Sequence, residues 1–253
     1  MMSKKQRLFV ILGAIFLSNA LLAEFIGGKI FSVEHTLGLP LLNWTIFGFN
    51  LSMNMTAGVL LWPVVFILTD IINEYYGKKG VRFLSFLTAI LISYSFIMIY
   101  GAIGLRPADF WITTRTHVGI PDMDVAFQQI FGQGMWIIAG SLVAFLIGQI
   151  ADVTAFHWIR KITGARMLWL RATGSTLVSQ FIDTFVVLII AFKIGQGWPL
   201  KQVLAIGLVG YLYKFIVAIV LTPLLYLIHG IIDRYLGHEE AHQMMEEAAR
   251  QAD

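Results

Sequence analysis

The sequence predicts an all-α integral membrane protein of six transmembrane helices with both termini in the cytoplasm. Three observations predict it. Of the 253 residues, 58% are hydrophobic and only 13% are charged, about half the ~25% charge of a soluble domain. Six apolar stretches are long enough to cross the ~30 Å hydrocarbon layer. Once these are threaded through the membrane, Lys and Arg fall mostly on one side. Residues 1–237 then form a single six-helix domain, followed by a polar cytoplasmic tail over 238–253.

The expected spans are residues 8–27, 55–72, 81–105, 135–158, 172–192 and 203–228. The first follows a basic N-terminus but lacks a small-x-small cleavage pattern and carries Asn19 and Glu24, so it reads as a retained span. With the N-terminus inside, twelve basic residues lie on the inner side (Lys4, Lys5, Arg7, Lys78, Lys79, Arg82, Arg160, Lys161, Arg166, Arg171, Arg234 and Arg250). Five lie outside, namely Lys29, Arg106, Arg115, Lys193 and Lys201. The outer loop 28–54 is long and apolar but too short to cross twice as helices, which suggests an interfacial or re-entrant piece. The outer loop 106–133 mixes Asp109, Arg115, His117, Asp122 and Asp124. It reads as solvated, with metal binding at His117 the weaker alternative. The acidic tail reads as a frayed helix.

Cysteine is absent, which excludes disulfides and thiolate metal sites. There is no Gly-x-x-x-x-Gly-Lys-Ser/Thr run, so the chain does not hold ATP in a P-loop. Neither a metal-ligand spacing nor a nucleophile elbow is present, and no enzyme activity, metal or cofactor is expected. Any driving force comes from a gradient, a separate ATPase or downstream trapping of the product.

The chemistry lies in ionisable residues placed inside apolar spans. Asp152, Asp183 and Lys214 would each cost about 2.5–3.5 kcal/mol against lipid, roughly 8–10 together, so they face the bundle interior. Gln149 to Asp152 and Gln180 to Asp183 repeat one small-Gln-x-x-Asp pattern, and residues three apart share a helix face. Counting the helical rise from the flanking basic residues puts Asp152 about 12 Å deep, Asp183 about 18 Å and Lys214 about 20 Å from the outer side. These depths converge on the middle of the bilayer, where transporters build substrate sites. Asn19, about 18 Å deep, serves as helix glue or as a ligand. Glu24, further out, is expected to pair with Lys29. Tyr211 shares a face with Lys214, and Tyr211, Tyr213 or Trp62 could stack on a planar ligand or simply pack. Asp70 and Glu74, one turn apart, approach the basic turn Gly77-Lys78-Lys79. They read as the inner rim of the pathway, with Glu74 as gate or helix-pinning residue and Asp70 the one nearer substrate. His157 and His229 read as interfacial. An excess of carboxylates with amides suits a donor-rich substrate and is compatible with the edge of a guanine-like base.

The run from Trp62 through Asp70, Asn73 and Glu74 to Lys79 resembles the signature of the bacterial queuosine precursor transporters, also called the vitamin uptake transporter family. Gly148-Gln149-Ile150-Ala151-Asp152-Val153, the stretch Ser175 to Thr184, and Tyr211-x-x-Lys214 are similar to it as well. The likeness covers about residues 8–233 and departs at the extended loop 28–54. It implies import of 7-deazaguanine bases across the cell inner membrane for salvage into tRNA queuosine. It further implies a fold resembling the substrate-binding subunits of energy-coupling-factor transporters. On this reading Asp152, Asp183 and Gln149 hold the donor-rich edge, Gln180 and Asn19 support them, and Lys214 neutralises one carboxylate. The expected partners are the small molecule and the lipid bilayer, with a homodimer allowed and no nucleic acid. The alternative is a substrate-binding subunit for another vitamin-like molecule, docked on a separate ATPase. That docking wants small residues four apart on the first span, and only Ala14 and Ser18 offer such a step.

Overall fold

The computed structural model describes residues 2–132, 134–163 and 167–250. Arg166, counted above among the inner basic residues, Gln133 at the end of the outer loop, and the last three residues of the tail lie outside the described residues. Five helical segments are long and apolar enough to cross a membrane among the described residues, as befits a multi-pass membrane protein.

Helix α1 (Lys4–Ile26) starts at a capping box, in which the Ser3 hydroxyl accepts from the Gln6 N–H and the Gln6 side chain accepts from the Ser3 N–H. Helix α3 (Trp62–Ile103) opens on Pro63, whose missing N–H costs nothing in a first helical turn. The helix runs for 42 residues and contains Gly77 at φ 65°, ψ −174°. That backbone region is essentially reserved to glycine. The Thr69 and Ser85 hydroxyls both meet Gln149 Oε1, at 3.2 and 3.3 Å. Along a straight helix these two residues would stand about 24 Å apart. The chain therefore reverses at Gly77, and α3 is two arms lying side by side.

The outer loop before α3 is a small β structure. Strand β1 (Ile30–Ser32) pairs antiparallel with β4 (Asn54–Thr56), and β2 (Trp44–Ile46) with β3 (Phe49–Leu51). Between β1 and β2 sits the single turn α2 (Val33–Thr36). Its Glu34 is buried and accepts from the Met53 N–H at 2.7 Å and the Ser32 hydroxyl at 3.0 Å. Burial alone would raise the Glu34 pKa, but the hydrogen bonds it accepts outweigh that and hold it below the usual carboxylate range. The loop expected to be an interfacial or re-entrant piece is an ordered β structure, and an all-helical fold acquires two short ladders. A 3₁₀ turn, Ala57–Leu60, leads into α3, so the expected span 55–72 is helical only from Trp62.

After α3 come α4 (Asp109–Ile112) and α5 (Met123–Phe131), the latter capped by Asp122. His117 lies in a short 3₁₀ turn, and no group of three or more His, Asp or Glu fit to hold a metal forms among the described residues. Helix α6 (Met135–Thr163) packs along α7 (Leu168–Leu188), which continues as a π-helical turn, Ile189–Ile194. The expected sixth span breaks at Leu221 into α8 (Leu200–Val220) and α9 (Thr222–Leu236). Pro223 explains the break, because it removes a helix donor and crowds the preceding turn. Helix α10 (His238–Arg250) is docked where a frayed end was expected. Its Ala241 and Met244 join the main core with Leu8, Ile72 and Leu236, because its apolar residues recur on one face. The Met245 carbonyl accepts from the Arg160 guanidinium at 3.0 Å.

Candidate functional site

The site grows out of α7, where hydroxyls and carboxylates recur every three to four residues on one face: Ser175, Thr176, Ser179, Gln180, Asp183. Facing them from the first arm of α3 is Asp70. Its two oxygens accept from the Ser175 and Thr176 hydroxyls at 3.4 and 3.3 Å. From α6 comes Asp152, fully buried, whose Oδ1 accepts from Ser179 at 3.0 Å. Lys214 of α8 reaches Asp183 at 2.8 Å. These elements enclose a cavity lined by Trp62, Asp70, Thr176, Gln180, Tyr213 and Lys214. The segment that carries the β ladders packs over it. Val59 and Tyr213, which line the cavity, pack in one apolar cluster with Met53 and Met55 and with Trp44 and Leu51 of the ladders.

Two polar atoms here lack partners. Gln180 Nε2 and Asp152 Oδ2 are buried without a hydrogen bond among the described residues. A buried polar atom left unpaired costs about 1–3 kcal/mol, so such atoms mark places where a ligand, water or proton completes the set. The cavity thus offers a carboxylate acceptor, an amide, an ammonium group and three aromatic side chains, Trp62, Phe66 and Tyr213, enough to orient a planar heterocycle.

The residues predicted from sequence sort into three groups. Asp70, Gln180 and Lys214 line the cavity, and Asp152 and Asp183 stand directly behind them through Ser175, Ser179 and Lys214. Gln149 does not line it. Its amide is used between the two arms of α3, with Thr69 and Ser85, and faces a separate crevice. Asn19 gives its amide to the Ile15 carbonyl of its own helix at 2.8 Å. Tyr211 donates to the Leu177 carbonyl at 3.3 Å and meets Phe181 edge to face, so Tyr213 and not Tyr211 covers the cavity beside Lys214.

Glu74 is the centre of a buried ionic knot. Arg171 grips both its oxygens, Nη2 at 2.6 Å and Nε at 3.2 Å, and Arg160 reaches it at 3.4 Å. The two arginines, counted by sequence as membrane-flanking charges, are instead turned inward. The bidentate grip fixes α3 to α7, while Arg160 adds α6 and the α10 carbonyl. Nearby, Tyr75 donates to Asp233 at 2.7 Å and its oxygen lies 2.7 Å from His229 Nδ1. His157, expected at an interface, is buried with its Nε2 3.0 Å from Asn73 Oδ1. Glu24 is also corrected: it is buried and accepts from the Ser141 hydroxyl of α6, facing inward and away from the expected pairing with the exposed Lys29.

Sequence reasoning did not single out Ser175, Thr176, Ser179 and Arg171 as functional. The repeat Ser175, Ser179, Asp183 at four-residue spacing was available as a signal for one polar stripe. Arg171 had no such signal, since its direction depends on how α7 is turned.

A family model described as "Putative vitamin uptake transporter" matches residues 56–228. A Bacillus subtilis protein named "Probable queuosine precursor transporter" is 35% identical over 69% of this chain and 71% of its own length. A Haemophilus influenzae protein of the same name is 24% identical over 68% of this chain and 67% of its own. The Escherichia coli "Queuosine precursor transporter" is 28% identical over 67% of this chain and 70% of its own. No solved structure matches the chain. All the cavity residues fall within the matched stretch, whereas Asn19 and nearly all of the outer ladders precede it.

Proposed function

This chain belongs to the vitamin uptake transporter family, and we propose that it imports queuosine precursors, the 7-deazaguanine bases, across the inner membrane for salvage into tRNA queuosine. The observation that carries the reading is the cavity between α3, α7 and α8. Asp70 accepts from the donor-rich edge of the base. Gln180, with an unpartnered amide nitrogen, donates to its oxo group. Trp62 and Tyr213 cover the ring. Lys214 holds Asp183 and exchanges partners as substrate passes. In the same reading the two arms of α3 each cross the bilayer, which makes six crossings and puts both termini in the cytoplasm. The protein transports its substrate unchanged and works without its own ATPase. Glu74 pins the inner end of the pathway.

The test is complementation of a bacterial strain that cannot make the precursors. Expression of this chain, with the nitrile, aminomethyl or queuine base supplied, restores queuosine in tRNA. Competition among the three bases at several pH values ranks them. Absence of queuosine with every base, from a protein that reaches the membrane, rejects the reading. A second reading makes the chain a substrate-binding subunit akin to those of energy-coupling-factor transporters, docked on a separate ATPase. In its favour, Ala14 and Ser18 are exposed four residues apart on α1. Uptake by this chain alone in a host lacking such an ATPase rules it out.

A further inference from the structure

Two of the buried carboxyls beside the cavity have no cation on them among the described residues. Asp70, Glu74 and Asp152 are buried inside the bundle, and Asp183 is half-buried near them. The cations within hydrogen-bond reach of them are Arg160 and Arg171, both on Glu74, and Lys214, on Asp183. Among the described residues, Asp70 and Asp152 are left with hydroxyl partners only, from Ser175, Thr176 and Ser179. Ser175, on Asp70, and Ser179, on Asp152, stand one turn apart on α7, about 6 Å along its axis, so the two carboxyls are held on adjacent rungs of the same helix face. Two ionised carboxylates adjacent in a low-dielectric interior, with no cation on either, are strongly disfavoured, and one takes up a proton.

We propose that Asp70 and Asp152 hold one proton between them and that it rests on Asp152 when substrate occupies Asp70. The pair acts as a two-carboxyl unit with shared titration. The placement on Asp152 follows from the geometry. Asp70 lines the cavity, whereas Asp152 does not, and its Oδ2 has no hydrogen bond among the described residues. A donor-rich ligand needs Asp70 as an ionised acceptor, which sends the proton to the one carboxyl that the ligand does not touch. Gln180, whose Nε2 is also unpartnered and lines the same cavity, supplies the adjoining donor. Asp152 is thus a positioning residue: it keeps Asp70 ionised without a buried countercharge. The other ionisable neighbours do not take this part. His157 is bonded to Asn73, and Glu74, Arg160, Arg171, Asp183 and Lys214 are committed to one another as above. This placement of the proton rests on the cavity being the substrate site. The existence of the shared proton does not.

Infrared spectroscopy of the purified full-length chain tests both parts, because a protonated carboxylic acid has a carbonyl stretch that a carboxylate lacks. The background variant is Glu24→Gln, which removes the other buried carboxyl of the span region. At pH 7, well above the ~4 of a free carboxyl, it shows a protonated-carboxyl band that disappears in the Asp70→Asn, Asp152→Asn double variant. A band unchanged by the double substitution overturns the shared proton. Should the double variant not fold, titration of the Glu24→Gln protein decides. A band persisting to pH 7 supports the proposal, and one gone by about pH 6 overturns it. Adding the uncharged nitrile base should shift the band in frequency without abolishing it. A band that the base leaves unmoved, while the base binds, overturns the placement on Asp152. A base that does not bind contradicts the proposed substrate and leaves the shared proton to the spectra without ligand.

Discussion

Asp70 and Glu74 stand one turn apart on the same arm of α3, both buried, and they are used in opposite ways. Glu74 has two guanidiniums on it and none of the cavity. Asp70 has two hydroxyls and faces the cavity. The Glu74 knot ties three transmembrane helices and the C-terminal helix together at one end of the bundle, a structural use in which the carboxylate is held by two guanidiniums. Asp70 is held loosely, by weak and long hydrogen bonds, with no cation of its own. A buried carboxylate that the fold has not neutralised is available to something else. In this bundle the partner of a charge, and not its depth, separates a fastening from a binding group.

Five substitutions can break or sharpen this contrast. The largest effect is expected for Glu74→Ala, which leaves Arg171 and Arg160 buried without their shared carboxylate. Breaking a buried pair in this way costs about 3–5 kcal/mol, read as a lower unfolding midpoint in detergent. Unfolding at the wild-type midpoint would mean the knot is not structural. Next is Gly77→Ala. A side chain at φ 65°, ψ −174° costs about 1–3 kcal/mol, and this glycine lets the two arms meet at Gln149. The variant is expected to unfold earlier than wild type. Asp70→Asn should show the reverse profile of Glu74→Ala. Its stability stays within about 1 kcal/mol, since hydroxyl partners also suit an amide. Uptake falls at least about tenfold, equivalent to ~1.4 kcal/mol of lost binding. An Asp70→Asn protein that transports normally but unfolds early would erase the contrast. The smallest change is Tyr211→Phe, which removes one part-buried hydrogen bond to a carbonyl, worth about 1 kcal/mol or less in stability. Its uptake should match wild type, against a clear loss for Tyr213→Ala.

Much of the architecture was legible because apolar length is a strong signal. The stretches 135–158 and 172–192 fall within observed helical segments and 8–27 does so up to Ile26, while of the polar residues placed at mid-depth Lys214 lines the cavity, Asp183 is paired to it and Asn19 bonds its own helix. The depth of a residue follows from counting, but the direction of its side chain follows from how each helix is turned about its axis. That is why Asp152, Asp183 and Lys214 are placed at one depth from the sequence without a partner being assigned to Lys214, while Gln149 and Tyr211 are expected at a cavity that their helices turn them away from. Arg171 was taken for an interfacial charge for the same reason. The ladders 30–32 with 54–56 and 44–46 with 49–51 were illegible, since three-residue strands carry no period. The outer loop is instead organised by one buried carboxylate, Glu34, taking the Met53 N–H across it. Pro223 was in plain view and marks the break in the last span, but a long apolar run around it outweighed the local signal.

The central claim is that Asp70, and not Glu74 or the residues behind it, receives the substrate. Equilibrium binding of the nitrile 7-deazaguanine base to the purified protein tests it most directly. The account predicts that Asp70→Asn weakens binding at least about tenfold while Tyr211→Phe binds as wild type does. An Asp70→Asn protein that is folded and binds the base with wild-type affinity would contradict it.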